Sequence, residues 1–233
     1  MSPLDQKVFI ITGGAGAIAR PILRAFADAG SKLVVVDRTE QHARAAAAEV
    51  GGLGIAADLA TPSGADAMVS AAIQAFGNVN GLIHTVGGFA MAKAHESDPA
   101  LYDRMFDLNV RTLFHATRSV LPLLLKQKEG FLAAFSAAPA LTGAGPGMSL
   151  YAAAKSAVST FLRSVDAEVA GSNVRVAIVY PMGAVDTPAN RKDMPDFDPA
   201  RYIDPSEIAQ SLVFAASRGA RGRLAEMAVY PGR

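Results

Sequence analysis

Short, wholly apolar runs recur along this chain, and the stretches between them carry apolar residues three and four positions apart. Val8-Phe9-Ile10-Ile11 and Leu33-Val34-Val35-Val36 leave no polar residue for a wet face, so they read as strands buried on both sides. Further strands are predicted over residues 53–57, 79–86, 131–135, 174–180 and 224–230. Helical spacing predicts helices over 18–29, 40–50, 61–76, 98–106, 108–128, 149–165 and 206–217. Gly30 is suited to close the first helix, and Thr61-Pro62 to open the third as cap and first-turn proline. The Gly/Pro-rich segment 139–147 and the polar, proline-containing segment 181–204 read as loops. Seven strands alternating with helices predict an α/β fold: a single domain over residues 1–233, built on a doubly wound, mainly parallel, Rossmann-like sheet. Residues 182–204 are expected to cover a substrate, as long loops at strand ends commonly do.

Such a sheet binds ligands at the carboxyl ends of its strands, and several of those ends carry suggestive residues. Between the first strand and first helix lies Thr12-Gly13-Gly14-Ala15-Gly16-Ala17-Ile18. A glycine-rich turn there aims main-chain N–H groups and the positive end of a helix at an anion. Asp37 closes the second strand, placed to accept hydrogen bonds from both ribose hydroxyls of an adenosine. A carboxylate there would repel a 2′-phosphate, which favours NAD over NADP, although Arg38 beside it could receive that phosphate.

In the predicted helix from residue 149, Tyr151 and Lys155 lie four apart, on one face, with β-carbons about 5–6 Å from each other. A phenol that titrates near pH 10 is a poor acid or base at neutrality. A neighbouring ammonium favours the phenolate, and Lys155 is placed to supply one.

The 22 basic and 21 acidic residues nearly cancel, which gives no footprint for nucleic acid or an anionic membrane. With no cysteine, disulfides and thiolate chemistry are excluded. His42, His84, His95 and His115 are scattered without ligand spacing, so no metal site is expected. The N-terminal residues leave no room for a signal peptide, and no apolar run is long enough to span a membrane. A cytoplasmic location is expected.

Taken together, these motifs resemble the short-chain dehydrogenase/reductase family over essentially the whole chain. The family's Thr-Gly-x-x-x-Gly-x-Gly turn aligns on residues 12–19, its Tyr-x-x-x-Lys on Tyr151 and Lys155, and its helix-borne Asn on Asn109. Its adenine-contacting acidic–apolar pair matches Asp58-Leu59. The Pro181 to Thr187 stretch is similar to the family's segment against the nicotinamide carboxamide, and Val86-Gly87 follows the fourth strand. The resemblance implies hydride transfer between a nicotinamide and a small carbonyl or alcohol substrate. Tyr151 would serve as general acid/base, Lys155 would lower its pKa and hold the nicotinamide ribose, and Asn109 would seat a relay water. It also implies a homo-oligomer, tetramer or dimer.

Departures from the family pattern matter as much. Ala17 and Ala19 replace two glycines of the turn, and Ala17 adds a methyl where the main chain would meet the pyrophosphate. His84-Thr85-Val86-Gly87 stands where the family has Asn-Asn-Ala-Gly, and His84 is expected to be packed rather than catalytic. The substrate-binding Ser falls, by its two usual spacings, on Ala137 or Ala138. Ser136 is the nearby hydroxyl, and a one-residue slip in a strand turns a side chain to the other face. It could act only if a bulge re-aimed it. Two alternatives stay open. Pro146-Gly147-Met148, Asp186-Thr187-Pro188 and Asn190-Arg191-Lys192 are similar to dihydropteridine reductase, which reduces a quinonoid pterin. A protein that binds NAD with weak or lost catalysis also fits Ala17 and the missing Ser. A hydrolase does not, because Gly147-Met148-Ser149-Leu150-Tyr151 lacks the last glycine of a nucleophile elbow.

Overall fold

The protein is described here from a computed structural model covering residues 2–232. Seven strands form one sheet: β1 (Val8–Thr12), β2 (Lys32–Asp37), β3 (Leu53–Ala56), β4 (Gly81–His84), β5 (Glu129–Phe135), β6 (Asn173–Pro181) and β7 (Glu226–Val229). Their order is β3-β2-β1-β4-β5-β6-β7, with every neighbouring pair parallel. The chain order reverses between β1 and β4, which opens a crevice at the carboxyl edge there.

Helices α1 (Ala19–Asp28), α2 (Glu40–Ala48) and α9 (Pro205–Ala216) contribute to one apolar layer, around Ile22, Leu23, Phe26, Ala47, Ile208 and Leu212. Helices α3 (Pro62–Phe76), α5 (Thr112–Gln127) and α7 (Ser149–Glu168) build the other, around Met68, Leu113, Val120, Leu124, Val158 and Leu162. Along β1, Phe9 and Ile11 enter the first layer while Val8 and Ile10 enter the second. This two-sided burial is why the strands carry no polar alternation.

The strands fall where the apolar runs predict them, with β4 and β7 shorter than expected. Three differences bear on the site. The helices predicted over 98–106 and 108–128 are α4 (Pro99–Phe106) and α5, joined through a π-helical turn, Asp107–Arg111. The Asn109 side chain donates to the Met105 carbonyl at 2.8 Å, and so competes with the main-chain ladder inside this widened turn. Within the predicted loop 139–147, Pro139–Thr142 form a short helix, α6. The expected loop 182–204 is a structured unit rather than an irregular flap. It contains α8 (Pro188–Asp193) and a 3₁₀ turn at Pro199–Arg201. A bridge between Val185 and Ile203 pins its two ends, and Tyr202 packs on Phe197 across it.

Gly54 shows how tightly α2 lies on β3. A β-carbon there would stand 2.6 Å from the Ala43 carbonyl oxygen and from Arg44 main-chain atoms. Gly54→Ala is therefore expected to lower stability by about 1–3 kcal/mol, as overpacking does. Equilibrium urea denaturation should show an earlier midpoint with an unchanged slope.

Candidate active site

The carboxyl ends of β1, β4 and β5 meet the starts of α1 and α7, and the sequence-predicted residues gather there. Gly13 has φ of +67°, and a β-carbon on it would lie 2.9 Å from Thr85 Oγ1 and 3.2 Å from Val86. A glycine is needed at this point both for the left-handed turn and for the approach of the β4 end. Thr85 Oγ1 donates to the Thr12 carbonyl at 2.7 Å, which ties the two strand ends together. Beyond the turn, the N–H groups of Ala17 and Ile18 find no acceptor among the described residues. They lie at the positive end of α1, so the cradle suits an anion despite the Ala17 methyl.

Asp37 reaches back to this turn. Its carboxylate accepts from Ala15 N–H at 3.2 Å and from Arg38 N–H at 2.8 Å. Each oxygen keeps a further lone pair for a hydroxyl donor. The Arg38 residue is exposed beside it. Asp58 is exposed and accepts from Ala60 N–H at 3.0 Å, while Leu59 is buried in the α3 layer. Those turn and strand-end residues fit a phosphate-bearing, ribose-bearing ligand laid across the crevice.

The polar heart lies further along the edge. Tyr151 and Lys155 sit on α7, with Lys155 Nζ 6.0 Å from the phenol ring's centre. Lys155 is buried, and its ammonium donates to the Phe135 carbonyl at 2.9 Å. A β-carbon on Gly87 would lie 3.2 Å from that Nζ and 2.8 Å from Asn109 Oδ1, so Gly87 leaves the space these two groups border. Asn109 is buried in the π turn. It accepts from Gly88 N–H at 3.1 Å and donates to the Gly88 carbonyl at 3.1 Å, fixing the segment after β4.

Burial governs the ionisation of this group. It pushes the Tyr151 phenol up to about 12 and the Lys155 ammonium down to about 8. The sequence expectation of a lowered phenol pKa is thus not met. The ammonium is engaged with the Phe135 carbonyl, and desolvation by burial raises the phenol. His84 is buried as expected. Thr112 Oγ1 donates to the Leu108 carbonyl, so it accepts from His84 Nε2–H, and Nδ1 is left to accept from Thr12 Oγ1 at 2.9 Å. Burial first, then the Lys155 charge, hold that imidazole down to about 3.

Ser136 is the clear correction. Its hydroxyl donates to the Lys155 main-chain carbonyl at 2.9 Å and accepts from Ser159 Oγ at 2.8 Å. The side chain is buried against α7, in the direction the period-two alternation of β5 dictates, and no bulge re-aims it. Its proton is therefore committed to the main chain, and Ala137 and Ala138 occupy the positions where a substrate-binding hydroxyl was sought. Pro181 closes β6, its carbonyl accepting from Ala138 N–H at 3.2 Å. Thr187 caps α8 through its hydroxyl, accepting from Asn190 N–H at 3.1 Å. Sequence reasoning missed Phe89, whose ring meets the Tyr151 ring edge-on, centres 4.9 Å apart. A large apolar residue two positions after Gly87 was the available signal. Among the described residues no cluster of three acidic or histidine side chains could hold a metal, and no helix is long and apolar enough to cross a membrane.

Comparison with known proteins agrees with this geometry. The family model for short chain dehydrogenase matches residues 7–197. An uncharacterised oxidoreductase of Bacillus subtilis is 31% identical, with 92% of this chain and 93% of that protein covered. A 3-ketoacyl-(acyl-carrier-protein) reductase from Brucella melitensis, solved in complex with NADH, superimposes with a TM-score of 0.89 at 27% identity, over 99% of both chains. A 7α-hydroxysteroid dehydrogenase complexed with NADH and 7-oxo glycochenodeoxycholic acid gives a TM-score of 0.85 at 27% identity, over 98% of this chain and 94% of that one. The chain belongs to the short-chain dehydrogenase family.

His84 gives a stability prediction. Its folded pKa lies below the unfolded value near 6.5, so below that pH the unfolded chain binds the extra proton and stability falls with pH. Between pH 6.5 and about 4, this group alone should contribute a slope of up to about 1.4 kcal/mol per pH unit. Urea midpoints measured across that range should fall less steeply for His84→Asn than for the natural protein.

Proposed function

We propose that this short-chain dehydrogenase is an NAD(H)-dependent oxidoreductase in which Tyr151 exchanges a proton with the oxygen of a small carbonyl or alcohol substrate. The observation that carries this is the enclosed Tyr151–Lys155 pair at the edge where the anion cradle ends. A bound nicotinamide would supply the hydride. The NADH named for two similar structures supports that cofactor. The residues that would hold it are Gly13, Ala15, Gly16, Ala17 and Ile18 at the phosphates, Asp37 at the adenosine ribose, and Asp58-Leu59 at the adenine. Val86, Gly87, Pro181 and Thr187 would lie along the nicotinamide half, with Lys155 at its ribose. Asp37 favours NAD over NADP, because its carboxylate would face a 2′-phosphate.

The protonated phenol suits the reductive direction. At neutral pH, Tyr151 is protonated and ready to donate to the alkoxide that develops when a carbonyl is reduced. Taking a proton from an alcohol would first require the phenolate, which burial disfavours. Lys155 then stabilises the phenolate left after donation, and Asn109 holds the wall beside it. This protein's Ser136 has no substrate role in the proposal. Its part is to fasten Lys155 to β5. Without a second donor, the substrate carbonyl is held by the phenol, which suits a carbonyl already activated by a neighbouring electron-withdrawing group. The half-exposed Phe114 of α5, packed on Phe161 of α7, supports association into a homo-oligomer through these helices.

NADH oxidation measured with a panel of activated carbonyls is expected to show turnover that stays level from pH 6 to about 7 and falls as the pH passes about 8, where Lys155 loses the charge that stabilises the phenolate. Oxidation of the matching alcohols should rise with pH over the same range. NADH binding without turnover of any carbonyl or quinonoid pterin would instead identify a nucleotide-binding protein. Replacing Asp37 by Ala is expected to shrink the preference for NADH over NADPH by roughly tenfold or more, the loss of a pair of charge-assisted hydrogen bonds and of the repulsion together. An unchanged ratio would remove Asp37 from that role.

A further inference from the structure

Large exposed apolar side chains lie on the segments that flank Tyr151. Phe89 is 58% exposed although its ring covers the edge of Tyr151, and Met91 is 56% exposed. The segment that carries them is built rather than loose. Asn109 fixes Gly88 by two hydrogen bonds, and Ala92 N–H donates to the Gly147 carbonyl at 2.9 Å. Met91 itself lies against Gly147, since a β-carbon there would come within 3.4 Å of its terminal methyl. Phe89 and Met91 are therefore held between β4 and the start of α7, at the mouth of the site. Leu141, 43% exposed, stands on α6, which packs against α7.

Charge is missing from the same walls. Residues 85–92 and 137–150, the segments on either side of Tyr151, contain no Asp, Glu, Lys or Arg. In the covering segment, Asp186 and Arg191 satisfy each other in a two-point pair, while Asp198 and Asp204 cap the turns that follow them. A charged substrate body would meet no counter-ion from the two walls and would lose its hydration there. An aryl or alkyl body would cover exposed apolar surface and would meet the Phe89 ring edge-on or offset, the arrangements aromatic rings favour.

We propose that Phe89 and Met91 form the specificity-determining wall of the substrate site, and that the substrate is an uncharged carbonyl compound bearing an aryl or branched alkyl group. This rests on the reductase reading above. In the reaction, the substrate carbon gains a hydride from the reduced nicotinamide and its oxygen gains the Tyr151 proton. The products are the alcohol and the oxidised cofactor, and Tyr151 regains its proton from solvent. The same wall shields the phenol from water, consistent with its raised pKa.

The test compares two neutral diketones and one anionic keto acid, with NADH and the protein: 1-phenyl-1,2-propanedione, 2,3-butanedione and pyruvate. The natural protein is expected to favour the phenyl compound over butanedione by roughly tenfold or more in kcat/KM, with pyruvate poorest. Phe89→Ala should collapse the phenyl-to-butanedione ratio towards one, and Phe89→Leu should restore part of it. Met91→Gln should lower the ratio as well, which guards against a fault peculiar to one variant. Equal kcat/KM for the three compounds, or a ratio that Phe89→Ala leaves intact, would overturn the proposal while leaving the reductase reading in place. Such an intact ratio is what a patch sealing an interface between copies would give. No turnover of any of them despite NADH binding would overturn both.

Discussion

Taking a lysine ammonium out of water costs several kcal/mol, and Lys155 is buried with the Phe135 carbonyl accepting from it. Much of the surrounding architecture can be understood as the means of keeping that charge in place. Helix α7 delivers it to the carboxyl end of β5, and Ser136 grips the same residue by its main-chain carbonyl. Gly87 brings the end of β4 close without a side chain that would fill the space. His84, the next titratable group inward, is held neutral between two threonines, first by its burial and then by the Lys155 charge beside it. The catalytic edge is thus a desolvated cation with polar contacts on several sides, and Tyr151 shares its enclosure.

The parts of this arrangement that depend on local periodicity could be read from the sequence. Apolar runs placed the strands, and the i, i+4 spacing put Tyr151 and Lys155 on one helical face. Period-two alternation even foretold that Ser136 would turn away, because a strand gives neighbouring side chains opposite directions. What escaped was tertiary. Within the π turn at Asp107–Arg111, Asn109 bonds to Gly88, 21 residues earlier, so no window centred on 107–111 reveals that contact. The partners of His84 come from β1 and α5. The contact of Phe89 with the Tyr151 ring was equally hidden, since the two lie on segments far apart along the chain. Residues 188–193 and 199–201 are preceded by their own cap residues, Thr187 and Asp198, and the prolines at their starts were the overlooked signal.

Two features of the site act together in the proposed reading. Ala137 and Ala138 remove the hydroxyl that usually helps to hold a substrate oxygen, and Phe89 adds apolar surface beside the remaining donor. Losing one such donor costs a few kcal/mol of transition-state stabilisation in other enzymes. A protonated, shielded phenol offsets part of that loss for a carbonyl that is intrinsically easy to reduce. On the proposed reading, the site trades a polar grip on the reacting oxygen for an apolar grip on the rest of the molecule.

Everything in this account converges on Tyr151 as the proton carrier, and Tyr151→Phe isolates it, because the ring that packs on Phe89 is kept while the hydroxyl is removed. NADH dissociation constants and steady-state NADH oxidation should be measured side by side for both proteins. The account predicts a dissociation constant within about twofold of the natural one and a kcat lower by about 10²–10⁴-fold, the range a positioned acid contributes. A variant that still turns over at more than roughly a tenth of the natural rate would contradict it, since positioned acids are worth far more than that.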